Sequence, residues 1–220
     1  MLITYEDVRK SEKINTYIRK ADESLLAMGF TEHSFAHVTR VSMNAGEILS
    51  KLGYSSRDAE LARIAGYMHD IGNCINRIDH AQSGAVMAFH ILEELGADPE
   101  TVATIVTAIG NHDESTAFPV NPVAAALIIA DKTDVTYTRV RNHDKATFDI
   151  HDRVNYAVKK ASLEIDAEKS EIRLKLRIDT SMCSVVDYFE IFLDRMILCR
   201  KAADKLGTTF TLRINGQKLL

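Results

Sequence analysis

Ala65-Gly66-Tyr67-Met68-His69-Asp70-Ile71-Gly72 is the stretch on which the reading of this chain turns. Leu61, Ala65 and Met68 recur at helical spacing and predict a buried stripe, with His69 the next residue in phase. Two ionisable side chains at the end of an apolar stripe are costly unless something compensates them, and a divalent cation would. Gly72 stands where a helix C′ residue would end the helix.

The same oddity recurs along the chain. His37 is in phase with Val41 and Ile48, and His112 with Val102, Ile105 and Ile109. The run Val123-Ala124-Ala125-Ala126-Leu127-Ile128-Ile129-Ala130 leads straight into Asp131, a carboxylate on a face that is rarely buried unpaired. His80 precedes a predicted helix whose Ser83 and Gly84 are small enough for close approach. A lone buried histidine is more often a hydrogen-bonded core residue, so the ordered set of four histidines and two aspartates carries the reading.

Cap residues place this set on helices. Thr4 can cap a first helix running toward Met28, with Gly29 as its stop. Ser34 and Gly53 bound the His37 helix, Ser55 or Ser56 starts the one that carries His69-Asp70, and Asp98-Pro99 opens the one ending near His112. Helical patterning continues to about residue 160. From about Ala161 the period becomes two: Leu163 to Asp166, a turn at Ala167 to Ser170, then Ile172, Leu174, Leu176 and Ile178 alternating with charge. Met182 to Leu206 returns to helical spacing, and Thr208 to Ile214 reads as a last strand. The expectation is a mainly α chain: a helical metal-binding bundle over residues 1–160 and a small α+β (ββαβ) lobe over 161–220, packed on each other. Met43, Met68, Met87, Met182 and Met196 are read as core filler.

The order His37, His69-Asp70, Asp131 resembles the HD superfamily of metal-dependent phosphohydrolases, and the interposed His80 and His112 resemble its binuclear branch. The resemblance spans roughly residues 30 to 141 on the helical spacing. It implies an all-helical fold with one metal on His37, His69, Asp70 and Asp131 and a second on Asp70, His80 and His112. Asn111-His112-Asp113-Glu114 stands where the cyclic-dinucleotide phosphodiesterases of that family carry a His-His pair, and their Gly-Tyr-Pro element is missing, which speaks against cyclic dinucleotides. His80-x-x-Ser83-Gly84 and Ala130-Asp131-Lys132 are similar to the subgroup that acts on dinucleoside polyphosphates.

Imidazole and carboxylate donors suit iron(II), manganese or zinc, and two such ions supply hydroxide near neutrality while clamping phosphoryl oxygens. The expected enzyme is therefore a phosphohydrolase that cleaves a phosphoester or phosphoanhydride of a nucleotide or other small phosphate compound. Asp70, Lys132 and Arg139 are its expected catalytic residues, with Arg141 and Arg40 as further cations for the substrate. Asp113, Asp134 or Glu114 can orient imidazoles or handle protons. His33, His90, His143 and His151 complete no pattern and are read as surface or structural, although His33 lies four residues before His37.

With 220 residues, 46% hydrophobic and 26% charged, the chain is ordinary globular material. A net charge of −4 with dispersed Lys and Arg gives no footprint for a polynucleotide. Cys74, Cys183 and Cys199 are odd in number and widely spaced, pointing to neither disulfides nor a thiolate site. No signal-like N-terminus or membrane-length apolar run is present, so a cytoplasmic enzyme is expected, compatible with a homodimer. Two other classes fit the same ligands: a diiron oxygenase of the same helical layout and a catalytically silent nucleotide-sensing module.

Overall fold

The computed structural model describes residues 2–142 and 144–220. In chain order the helices are α1 (Tyr5–Lys10), α2 (Glu12–Ala27), α3 (Phe35–Lys51), α4 (Ser56–Met68), α5 (His80–Glu94), α6 (Pro99–Gly110), α7 (Pro122–Lys132), α8 (Ile150–Ala157) and α9 (Val185–Lys205). The strands are β1 (Val158–Asp166), β2 (Glu171–Ile178), β3 (Thr209–Ile214) and β4 (Gln217–Lys218). The chain is mainly helical with one small C-terminal sheet, as its periodicity predicts.

Most helix starts follow from their caps. Ser55 and Asp58 form a capping box at α4, Ser34 accepts from Ala36 N at α3, and Asp98 accepts from Thr101 N ahead of Pro99 at α6. The single helix expected between Thr4 and Met28 is instead two. Ser11, in extended backbone, ends α1 through its N–H to Val8 and caps α2 with its hydroxyl. A serine inside an apolar-periodic pattern competes for backbone hydrogen bonds, which the hydrophobic period does not register.

Every residue from Val123 to Ala130 is buried, so α7 is apolar all round and sits inside the bundle against α3, α4, α6 and α9. Two glycines set how closely neighbouring elements of the bundle approach one another. A Cβ on Gly66 would lie 2.7 Å from Ser42 Cα, so the α3–α4 crossing requires glycine there. A Cβ on Gly72 would lie 2.0 Å from the His80 carbonyl oxygen and 2.5 Å from Gly84 N. Gly72 is therefore not the left-handed helix stop that the sequence indicates. It lies inside a 3-10 turn, Ile71–Cys74, that packs directly on the first turn of α5.

Helical structure does not run unbroken to residue 160 either. Beyond Lys132 the chain passes through short 3-10 turns, with Arg139 in one of them, before α8 resumes. β1 and β2 form the expected hairpin, with Leu163 opposite Leu174 and Ile165 opposite Ile172. α9 then carries the chain over to β3, which pairs parallel to β2, as a crossover connection requires. Asn215 and Gly216, both at positive φ, turn β3 into β4, a short strand absent from the expected ββαβ pattern. Ile172, Leu174, Leu176 and Ile178 are buried and join the bundle residues in one continuous core. Met43 departs from its expected place in the core and is exposed, while Met68 and Met196 are fully buried. No helix among the described residues is long and apolar enough to cross a membrane.

Candidate metal centre

Helix ends bring the six ionisable residues to one place. His37 lies in the first turn of α3, His69 and Asp70 follow the last residue of α4, and His80 opens α5. His112 lies just past the end of α6, and Asp131 is in the last turn of α7. The negative ends of the α4, α6 and α7 dipoles and the positive ends of α3 and α5 thus meet at these side chains, so the dipoles largely offset one another.

Each imidazole is held by its Nδ1. His69 Nδ1 is 2.8 Å from the Gly66 carbonyl oxygen, His112 Nδ1 2.6 Å from that of Ile109, and His80 Nδ1 3.0 Å from that of Arg77. A carbonyl can only accept, so each Nδ1 carries the hydrogen and, in the neutral ring, Nε2 presents a lone pair. His37 does the same toward Asp134, its Nδ1 2.7 Å from Oδ2.

All four Nε2 atoms face carboxylate oxygens. His37 Nε2 is 3.6 Å from Asp70 Oδ2 and 3.4 Å from Asp131 Oδ1, and His69 Nε2 is 3.2 Å and 3.7 Å from the same two atoms. His80 and His112 Nε2 lie 3.5 Å and 3.9 Å from Asp70 Oδ1. His37 Nε2, His69 Nε2 and Asp70 Oδ2 are buried without a hydrogen-bond partner. Lone pairs opposed at these distances repel unless a cation lies between them. Ligands about 2.1 Å from one ion are themselves separated by about 3.0–3.4 Å, close to the spacing found here. The sets His37/His69/Asp70, His69/His112/Asp131 and Asp70/His80/His112 are each compact enough to hold one ion. The residues present fit divalent metal.

Electrostatics agree with that fit. Burial pushes the Asp70 and Asp131 carboxyls up, yet His69 beside the first and Lys132 beside the second hold both well below the usual carboxylate range. Burial, with the neighbouring His69 and Lys132 charges, pushes His112 down to about 3, so it is a neutral imidazole. Burial works against the charge of Lys132, but Asp131 at 2.8 Å and Glu114 at 3.4 Å outweigh it and raise its pKa.

The other cations expected at the site divide differently. Arg139 lines the cavity, but its Nε donates to the Glu32 carbonyl and its NH1 to the Asp134 carbonyl. Arg40 grips both oxygens of Asp134 at 2.6 and 2.8 Å, behind His37, and Arg141 pairs with Asp22. Asp134 is thus the carboxylate that orients the His37 imidazole, while Asp113 lies 3.9 Å from His80 Nε2. Removing such an outer partner weakens metal binding about 10–100-fold in comparable sites. Asp134→Ala should show a loss of that size in a competitive chelator titration.

A cavity of about 300 Å³ opens over Asp70, His80, His112 and Asp131. It is also lined by His33 and His151, which the sequence reading leaves outside the site, and by Phe192 and Arg195 of α9, which it does not single out. His33 packs edge-on against His37, with ring centroids 5.4 Å apart, and burial pushes its pKa well down. Its position four residues before His37 is the signal that could have placed it here. His90 is exposed against Phe89, and His143 lies outside the described residues.

Fold and site together define a helical protein with a buried centre of histidine and aspartate donors. The family model for the HD domain matches residues 34–154, more than half of the chain. An uncharacterized protein of Methanocaldococcus jannaschii, MJ1020, is 24% identical over 210 residues, covering 85% of this chain and 79% of its own. The crystal structure of a predicted HD superfamily hydrolase from an uncultured Thermotogales bacterium is 30% identical with a TM-score of 0.44. That match covers 56% of this chain and 66% of the other, just under two thirds of its length. The chain belongs to the HD domain family, and it carries His/Asp clusters compact enough to hold metal.

Proposed function

We propose that this HD-domain protein is a two-metal phosphohydrolase acting on a nucleotide or another small phosphate compound. In this reading His37, His69, Asp70 and Asp131 hold one ion and Asp70, His80 and His112 the other. The observation that carries it is the convergence of four Nε2 lone pairs on the two oxygens of Asp70: Oδ2 faces His37 and His69, and Oδ1 faces His80 and His112. Bound divalent ions would lower the pKa of water and withdraw charge from a phosphoryl group.

The protein's own groups supply the rest. Lys132, buried and kept charged by its two carboxylates, places a cation beside Asp131, where phosphoryl oxygens would gather negative charge. Burial pushes the Asp113 carboxyl up, but its bond from Ser115 and the nearby cations outweigh burial and keep it a carboxylate, a fixed negative charge 3.9 Å from His80 Nε2. The cavity volume of about 300 Å³ supports a small phosphorylated substrate over a polymer.

The test is a panel of mononucleotides, dinucleoside polyphosphates and sugar phosphates, incubated anaerobically with protein loaded with manganese or iron(II). Release of phosphate or nucleotide that chelation abolishes is the expected result. Silence across the panel from protein verified to contain metal would overturn the phosphohydrolase reading.

A further inference from the structure

The HD match ends at residue 154, and α9 lies beyond it, yet Phe192 and Arg195 of α9 line the cavity beside Lys132 and Asp131. Phe192 is buried and lies under the Arg195 guanidinium, which is 4.6 Å from the ring centroid. Such a contact fixes a cation in place without consuming its hydrogen-bond donors. Arg195 Nε is 2.6 Å from Glu114 Oε1, the same oxygen that lies 3.4 Å from Lys132 Nζ. Alternating charges therefore run from α9 through Glu114 and Lys132 to Asp131 at the ligand cluster.

The two cations in this row are used differently. Lys132 is committed to Asp131 and Glu114. Arg195 Nε is ion-paired with Glu114 at 2.6 Å but is buried without a hydrogen-bond partner, and the side chain as a whole is 26% exposed. A guanidinium seated on an aromatic face, ion-paired along one edge and lining a cavity while its Nε hydrogen bond is unmet, is pre-organised to capture an anion.

We propose that Arg195 binds an anionic group of the substrate other than the one that is cleaved, which makes the C-terminal lobe the specificity-determining wall of the cavity. This rests on the phosphohydrolase reading for the cleavage itself. The competing role for Arg195 is that of a strut tying α9 to Glu114, and substitutions on the two sides of that ion pair separate the roles.

Inorganic pyrophosphate and orthophosphate are titrated calorimetrically into the full chain, with and without manganese, for the wild type, Arg195→Met, Arg195→Lys and Glu114→Gln. Arg195→Met keeps the aliphatic cover over Phe192 and removes the charge. It should weaken pyrophosphate about tenfold or more and orthophosphate less, with Arg195→Lys intermediate and Glu114→Gln no weaker than the wild type. In turnover, Arg195→Met should raise KM for substrates with two anionic groups and leave kcat in place. Equal pyrophosphate affinity in wild type and Arg195→Met, or an equal loss in Glu114→Gln, would overturn the proposal. Should Arg195→Met fail to fold, Arg195→Lys binding more weakly than Glu114→Gln supports the proposal and the opposite order overturns it. The metal-free titration requires no turnover, so a wild type that binds pyrophosphate through Arg195 but hydrolyses nothing would refute the phosphohydrolase reading alone.

Discussion

Asp70→Ala is expected to lose bound metal and hydrolytic activity together. Its two carboxylate oxygens are divided between two pairs of imidazoles, so one truncation removes a donor from both halves of the cluster. Asn73 donates to Oδ1 at 2.9 Å and to the Asp70 carbonyl at 3.0 Å, which fixes the carboxylate in that orientation. Among the described carboxylates Asp70 has the widest reach: Asp131 lies near His37 and His69 and groups with His112, and Asp113 lies near His80, but neither carboxylate forms an ion pair with both pairs of imidazoles. Losing the charge stabilisation of such a centre costs several kcal/mol in the transition state, so kcat/KM should fall by roughly 10³-fold or more. Metal per chain, measured by elemental analysis, should fall with it. A variant that keeps both its metal and its turnover would sink the two-metal assignment.

Gly72→Ala should be the most damaging single methyl group in the molecule. The added carbon meets the His80 carbonyl, Gly84 N and Ser83 Oγ, and the first two are backbone atoms that cannot rotate away. Either the 3-10 turn or the start of α5 must shift, and these carry Asp70 and His80. Overpacking of this kind costs about 1–3 kcal/mol, which for a chain of this size is roughly 2–12 °C in Tm. Because the displaced element bears His80, the variant should also bind metal more weakly even where it remains folded. Gly96→Ala, by contrast, adds a carbon that meets no atom within 4 Å, although Gly96 sits at positive φ. Its stability loss should come from backbone strain alone, with metal binding intact. Thermal melts and a metal titration on both proteins check this; an unshifted melt for Gly72→Ala would contradict the close approach of the 3-10 turn to α5.

Much of the architecture is legible because caps and periods are local. Asp98-Pro99, Ser55 with Asp58, and the change from helical to alternating period near β1 each act within a few residues, and each structural element begins close to where they place it. The misreadings share one physical origin. Ser11 splits a helix because its hydroxyl caps in preference to continuing, and Gly72 serves a contact with residues 80–84 that no local rule contains. Arg139 lines the cavity, but what anchors it there, its Nε and one terminal nitrogen donating to the Glu32 and Asp134 carbonyls, the first 107 residues away, is likewise outside any local rule.

By itself the sequence determined that six ionisable residues interrupt apolar faces and that these faces belong to helices, because a charge in an apolar period stands out whatever the chain does next. It also determined where the helical bundle gives way to a small sheet. Only the tertiary structure decided that the Nε2 atoms converge, since Nδ1 partners such as the Gly66 and Ile109 carbonyls and Asp134 set the ring orientations. Only it brought Arg195 and Phe192 into the cavity from α9. Those placements depend on how helices cross, and crossing is governed by packing between residues far apart in the chain.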